Sequence, residues 1–427
     1  MSHDAALNEM TAGRQAAAGG VPGRRLTLEE AQSEVRRCLF PVAAKALVPA
    51  AAALNRILAS DLTAPVDLPM QDRSALDGYA FRAADLPQIG AAHLRVTGQS
   101  AAGHPHAGTV EPGCAVRILT GGSVPAGLDT VIMQERCTAD GGIVSFLAAD
   151  VTDRHVRFQG EDYRAGATIL PRGRRIRPVD LGAASACGFP VLPVYEPLRL
   201  ALFSTGDELV EPGLALAPGQ IWDANRAMLK ALIGETGATV NDLGILPDNL
   251  PGMLEALSWA ARDHDMIITS GGMSVGDEDH VRQVIQRRGR LEIWRLAIKP
   301  GKPVGFGDID DCPILALPGN PVAAVVTFLM LGRAALNRLS GSSEEADHCL
   351  HLPAATAITK QAGRREFRLA KIMRGENGAS SLVPAGKGGS AMLSALVEAQ
   401  GLIDLDEASS GAAAGEILRY LPLRQNF

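Results

Sequence analysis

Cysteine is sparse and scattered. The six residues, Cys38, Cys114, Cys137, Cys187, Cys312 and Cys349, form no C-x-x-C pair and have no histidine nearby at zinc spacing, which argues against a zinc site and leaves reduced thiols in a cytosolic protein as the expectation. Positive charge is not in excess either. Forty-one Lys and Arg stand against 47 Asp and Glu for a formal net charge of -6, so general affinity for nucleic-acid backbones is not expected, while a local basic pocket could still hold a small phosphorylated ligand. No stretch approaches an uninterrupted apolar span of ~20 residues, and the opening residues carry no apolar core of signal-peptide type. The expectation is therefore no membrane partner, a cytoplasmic location, and a flexible tail over residues 1–24.

What is present is a long, turn-rich chain. At 427 residues with 46 Gly and 26 Pro, it should divide into two to four domains and build its sites on loops. Thr27 and Glu30 form a capping box with Leu26 placed to staple onto Ala31, and Ala31, Val35, Cys38 and Leu39 repeat at helical spacing. A second helical run is expected over Ala51–Leu58. From about Pro65 to Asp162 the texture changes to short β-type runs between Gly/Pro turns, among them 94–97, 115–119 and 130–133. Residues 163–197, with a helix near 179–187, are expected to return to the N-terminal segment as one discontinuous domain with 25–64.

Between residues 198 and 339 strand and helix alternate, which predicts an α/β domain with a mostly parallel sheet and ligands at the carboxyl ends of its strands. Residues 340–427 read as a small β domain. The expected fold class is thus multidomain α/β plus β.

Three Gly-rich turns fall where strands of the α/β domain should end: Ser204-Thr205-Gly206-Asp207-Glu208, Thr269-Ser270-Gly271-Gly272-Met273-Ser274 with its continuation to Asp279, and Leu317-Pro318-Gly319-Asn320-Pro321. Glycine lets backbone N–H groups approach an anion, and a helix starting at about Pro321 or Val322 would turn its positive end to a phosphate. Any one such turn is as well explained by a tight connection; three in one sheet point to a polar small-molecule crevice. Asp207, Glu208, Asp277, Glu278 and Asp279 crowd carboxylates onto two of these turns, for which a divalent cation, magnesium rather than zinc, is the expected remedy. Helix-capping acids explain Asp277 and Glu278 equally well. Lys299-Pro300-Gly301-Lys302-Pro303 sets two ammonium groups in a stiff loop suited to an oxyanion or phosphate, and a solvated surface loop explains this motif alone equally well. In the first β domain, Asp77 stands in S-A-L-D-G-Y-A, Thr120 closes R-I-L-T-G, and Asp162 ends G-E-D.

These motifs, in this order, together with F-S-T-G-D-E-L (203–209), G-Q-I-W-D-A-N-R (219–226), S-G-G-M-S-V-G (270–276) and L-P-G-N-P-V (317–322), resemble the molybdopterin molybdenumtransferase family, to which the C-terminal domain of gephyrin is related. The resemblance implies a helical and extended N-terminal domain, an inserted β domain, an α/β domain similar to molybdopterin adenylyltransferases and a C-terminal β-barrel-like domain. It also implies transfer of molybdate onto adenylylated molybdopterin with magnesium-assisted release of AMP. Carried over by motif, Asp77, Thr120, Asp162, Glu208, Asp279, Lys299 and Lys302 fall on catalytic positions, with Glu208 and Asp279 holding magnesium. Ser270, Gly271, Gly272, Ser274, Pro318, Gly319, Asn320, Pro321 and Ser390 fall on substrate-binding positions. The implied partners are adenylylated molybdopterin, molybdate, a second copy in a homodimer, a molybdopterin adenylyltransferase and molybdoenzyme-maturation proteins. Departures are Leu76 and Met273 in place of the usual Met and Val, and His280 after Asp279 in place of Tyr. Two competing readings are an adenylyltransferase, which would share the α/β domain, and a non-catalytic scaffold of the gephyrin kind.

Overall fold

The computed structural model describes residues 25–247, 249–272, 280–343, 349–376, 378–386 and 391–423. The expected tail (1–24) and the candidate site residues Ser274, Asp279 and Ser390 lie outside them. The chain divides into two compact units, one of residues 1–60, 172–178 and 191–427 and one of residues 61–171 and 179–190.

The larger unit is organised by a seven-stranded mixed sheet. Its strands are β1 (Arg25–Leu26), β2 (Arg199–Thr205), β3 (Thr239–Leu246), β4 (Met266–Ser270), β5 (Gly289–Leu296), β6 (Pro303–Ile309) and β7 (Cys312–Leu317), in the spatial order β1-β5-β6-β7-β4-β2-β3. Pairing is parallel from β7 through β4 and β2 to β3, and antiparallel from β5 through β6 to β7. The sheet is buried on both faces, as near-continuous apolar strands such as Leu200-Ala201-Leu202-Phe203 require. Leu200 and Leu202 join one core with Leu229, Ile233, Val322 and Val326, while Ala201 and Phe203 join another with Met253, Leu257, Val284 and Ile285.

The first core is covered by three helices, α1 (Leu28–Cys38), α2 (Asn225–Gly234) and α5 (Pro321–Ser340); α3 (Leu250–Asp263) and α4 (His280–Arg288) cover the second. The capping box of α1 is complete: the Thr27 hydroxyl accepts from the Glu30 N–H at 3.2 Å and the Glu30 carboxylate from the Thr27 N–H at 2.9 Å. Its Leu28, Ala31 and Val35 form the buried stripe. Helix α5 widens to π-type hydrogen bonding over Phe328–Gly332. By length and composition it is the one described helix apolar enough to cross a membrane, but 67% of its most apolar window is buried inside the protein, as befits a helix that packs against α1 and the sheet.

The expected helix over Ala51–Leu58 is not formed. A single 3-10 turn spans Ala50–Ala52, Asn55 takes a left-handed φ of 63°, and Ile57 and Leu58 form β-bridges to Arg175 and Val194. Pro49 and the left-handed Asn55 bracket the run too closely for two helical turns, and tertiary pairing overrides the local alanine content. Strands β5 and β6 are the other surprise. They form an antiparallel pair in which the Lys299–Pro303 loop is the connection, and Ile298–Lys299 adds a parallel pairing to the C-terminal part of the chain.

That C-terminal part is a β domain of β8 (Leu350–Pro353), β9 (Arg365–Arg374), β10 (Ser380–Pro384), β11 (Gly401–Leu405) and β12 (Ile417–Pro422). Its sheet runs Ile298–Lys299, β9, β11, β12, β8, with β10 on the other side of β9. The smaller unit carries a six-stranded sheet in the order Thr130–Met133, Gly78–Phe81, Cys114–Ile118, Ala91–Ser100, Ile143–Leu147, Thr138–Asp140, and the helix Pro178–Ala186.

Candidate active site

Strands β2, β4 and β7 are adjacent and parallel, so their carboxyl ends fall side by side: Ser204 pairs with Ser270, and Ser270 with Leu317. The three glycine turns expected from the sequence therefore leave the sheet next to one another. Contact between them is close. A Cβ added to Gly271 would lie 2.5 Å from the Thr205 carbonyl oxygen, and one added to Gly319 would lie 3.9 Å from the Gly271 Cα. Gly271, with φ near +91°, must be glycine on both counts.

Two of these turns, those after β4 and β7, form one wall of a cavity of about 910 Å³, lined there by Gly271, Gly272, Pro318, Gly319, Asn320 and the first turn of α5, Val322 and Ala323. The first turn of a helix has N–H groups with no intrahelical acceptor and a partial positive charge, so this wall offers backbone donors to an anion. The floor is the loop from Ile298 to Pro303, whose Lys299–Pro300 peptide bond is cis. A second wall comes from β9, the end of β10 and the residues adjoining them, including Arg364, Glu366, Arg368 and Pro384 to Gly386.

Four cations and one carboxylate line this space. The Lys299 ammonium lies 3.4 Å from the Glu366 carboxylate, which also accepts from the Arg368 guanidinium at 2.6 Å. Glu366 is buried, and its two cations keep that charge compensated. Lys302 and Arg364 have no carboxylate partner among the described residues. The cavity thus carries more positive than negative charge, and the two cations left over are the ones an added anion would meet first.

The remaining sequence candidates separate. Ser270 is buried and its hydroxyl accepts from Asn225 Nδ2 at 2.8 Å, so it ties the wall together rather than facing the cavity. Pro321 opens α5 without lining the space. Glu208 is exposed at the end of the neighbouring strand β2; a Cβ on Gly206 would lie 2.6 Å from its carboxylate oxygen. It is an oxygen donor with no cationic partner among the described residues, a group suited to a hard cation. No cluster of three or more metal-ligating side chains occurs among the described residues.

In the smaller unit, Asp77 and Thr120 come together. The Thr120 backbone N–H and hydroxyl both donate to one Asp77 oxygen at 2.7 Å, and these two bonds hold the carboxyl below the usual carboxylate range. The Thr120 turn is fastened to the same segment by Gly121 N–H to the Ser74 carbonyl and Ser74 N–H to the Gly122 carbonyl. Asp162 is exposed on a loop fastened to the segment's other end, its N–H donating to the Leu68 carbonyl.

Sequence reasoning did not single out Arg364, Glu366, Arg368 or Asn225 as site residues. The first three lie on a strand edge far along the chain, and only the pairing of Ile298–Lys299 with Arg365–Glu366 brings them to the lysine loop. Asn225 stood inside the quoted D-A-N-R segment, where a polar residue opening a buried helix is the available signal.

An α/β domain whose parallel strands end on glycine turns facing a cation-lined cavity defines a class: proteins that hold a small anionic ligand at the carboxyl edge of the sheet. Comparison with known proteins gives the family. Residues 26–188 match the MoeA N-terminal region (domain I and II), 201–338 the probable molybdopterin binding domain, and 351–423 the MoeA C-terminal region (domain IV). The chain is 38% identical over 400 residues to a molybdopterin molybdenumtransferase of Haemophilus influenzae, covering 93% of this chain and 98% of that protein. It is 35% identical over 403 residues to molybdopterin molybdenumtransferase 2 of Mycobacterium tuberculosis, covering 92% and 97%. The crystal structure of the molybdopterin biosynthesis moeA protein from Pyrococcus horikoshii superposes with a TM-score of 0.79 at 27% identity, covering 93% of this chain and all of that one. The chain belongs to the MoeA family of molybdenum cofactor biosynthesis proteins.

Proposed function

We propose that this chain is a molybdopterin molybdenumtransferase: it binds adenylylated molybdopterin and molybdate, places molybdenum on the dithiolene and releases AMP. The observation that carries this reading is the cavity itself, with backbone donors on one side and surplus cations on the other, in a chain whose curated relatives bear that activity in their names. Two anions must meet for this transfer, and a wall of fixed N–H dipoles facing a wall of ammonium and guanidinium groups accommodates both.

In the proposed division of labour the Pro318–Asn320 turn and the first turn of α5 orient the ligand's phosphate. Lys302 and Arg364 attract the oxyanion, and Lys299, partly neutralised by Glu366, holds the floor. Magnesium, when bound, supplies charge neutralisation at the adenylate. Glu208 is the described side chain suited to hold it, and Asp279 is its proposed companion. Asp77, Thr120 and Asp162 are proposed catalytic contributors from the smaller unit. We also propose a cytoplasmic homodimer, with four domains bounded near 64, 162, 197 and 339.

The reading is tested against the adenylyltransferase alternative by offering ATP with molybdopterin, or adenylylated molybdopterin with molybdate. Consumption of only the second pair is expected. Release of pyrophosphate from the first pair would reassign the protein, and turnover of neither would leave it a scaffold. Sedimentation of the purified chain checks the dimer.

A further inference from the structure

Asn225 opens α2 at the back of the glycine-turn wall, and only 8% of its surface is exposed. Its side-chain nitrogen donates twice, to the Ser270 hydroxyl at 2.8 Å and to the Gly319 carbonyl at 2.6 Å. These two acceptors belong to different turns: Ser270 is the last residue of β4, directly before Gly271-Gly272, and Gly319 is the centre of the turn after β7. The orientation of the amide follows from chemistry, because the Gly319 carbonyl can only accept and the opposite rotamer would set oxygen against oxygen.

The helix that carries Asn225 is itself held. Arg226, the next residue, bonds Asp223 at 3.0 Å and Asp242 of β3 at 2.6 Å and pairs with Glu211, with only 11% of its side chain exposed. Asn225 therefore reaches forward from a fixed point. Among the described residues its Oδ1 is buried without a hydrogen-bond partner, an arrangement that costs stability and is more readily kept for function than for folding.

We propose that Asn225 is a positioning residue, a clamp that sets the spacing between the Gly271-Gly272 turn and the Pro318–Asn320 turn and so aims the backbone donors of that wall at the ligand. The inference rests on the function proposed above. It predicts an asymmetry, because the clamp touches the turn wall and not the cation wall: losing it weakens the ligand held by the turns and spares the oxyanion.

The test measures binding of adenylylated molybdopterin and of molybdate separately, by calorimetry, to the full-length wild type, Asn225→Ala and Asn225→Asp. Loss of two buried hydrogen bonds should raise the Kd for the adenylylated pterin about tenfold or more in Asn225→Ala, with molybdate affinity unchanged. Asn225→Asp keeps the shape but faces the Gly319 carbonyl with an acceptor, so its pterin affinity should be weakened and should recover as pH is lowered and the new carboxyl, raised by burial, takes up a proton and becomes a donor. The wild type should show no such recovery. Should Asn225→Ala not fold, the isosteric Asn225→Asp carries the test alone. Unchanged pterin affinity, equal weakening of both ligands, or a flat pH response of Asn225→Asp would overturn the clamp. A wild type that binds neither ligand would instead sink the function on which it rests.

Discussion

The two walls of the cavity are built on opposite principles. The turn wall is backbone: two strand ends fixed by the parallel ladder, glycines in place of side chains, and donors that cannot move without the sheet moving. The second wall is made of long flexible cations, brought in from β9, the residue before it and the lysine loop, two of them, Lys299 and Arg368, restrained by a single buried carboxylate, Glu366. A rigid wall gives geometry and a charged wall gives attraction. Errors in the first should therefore be costly and local, while errors in the second should be graded and dependent on salt.

The sharpest contrast lies between two glycines of the rigid wall. Gly271→Ala forces a Cβ to 2.5 Å from the Thr205 carbonyl oxygen at a positive φ; it should lose about 2–4 kcal/mol of stability and about a hundredfold or more of AMP release. Gly319→Ala, whose nearest atom would be 3.9 Å away, should melt as the wild type does. Thermal unfolding and AMP assays on the pair check this, and equal damage would mean that the close approach of the turns is not what fixes the wall.

On the charged wall, Lys302→Ala should weaken molybdate binding about tenfold at low salt and flatten its salt dependence. Lys299→Ala should do less, because Glu366 already neutralises that ammonium. A titration at two ionic strengths reads the order directly, and the reverse order would transfer the leading role to Lys299. Glu366→Gln should tighten molybdate binding about threefold while costing about 1 kcal/mol of stability, since two cations lose their shared partner and one of them, Lys299, is already half exposed. Weaker anion binding in that variant would show that the carboxylate places the cations rather than merely offsetting them.

The smallest effect is expected in the other unit. The two Thr120 bonds depress the Asp77 pKa, so their contribution to stability is present above the ordinary carboxylate value and is lost as pH falls through the lower folded value. Thr120→Val should move the Asp77 titration upward toward the ordinary value, as carboxyl NMR would show. An unmoved titration would leave the backbone N–H of residue 120 as the whole cause.

How much of this was legible in the sequence follows the same division. The alternating strands and helices of residues 198–339 were readable because the central strands, Arg199–Thr205 and Met266–Ser270, are apolar on both faces and the helices keep their period. The rigid wall was readable because glycine at a strand end has a backbone meaning. The antiparallel pair β5–β6 was missed because Gly289–Leu296 alternates charged and apolar residues beside a Pro/Gly loop and resembles a connection. Arg364, Glu366 and Arg368 were missed because nothing local marks them: their role arises from one long-range pairing between Ile298–Lys299 and β9. The false helix at Ala51–Leu58 has the same origin, since local alanine content yielded to bridges with Arg175 and Val194.

The central claim, that the two walls bring molybdate to adenylylated molybdopterin, is tested most directly by mixing purified protein with adenylylated molybdopterin and magnesium and measuring AMP with and without molybdate. The account predicts AMP release that requires molybdate and is lost in Gly271→Ala. AMP released equally without molybdate, or none in either case, would contradict it.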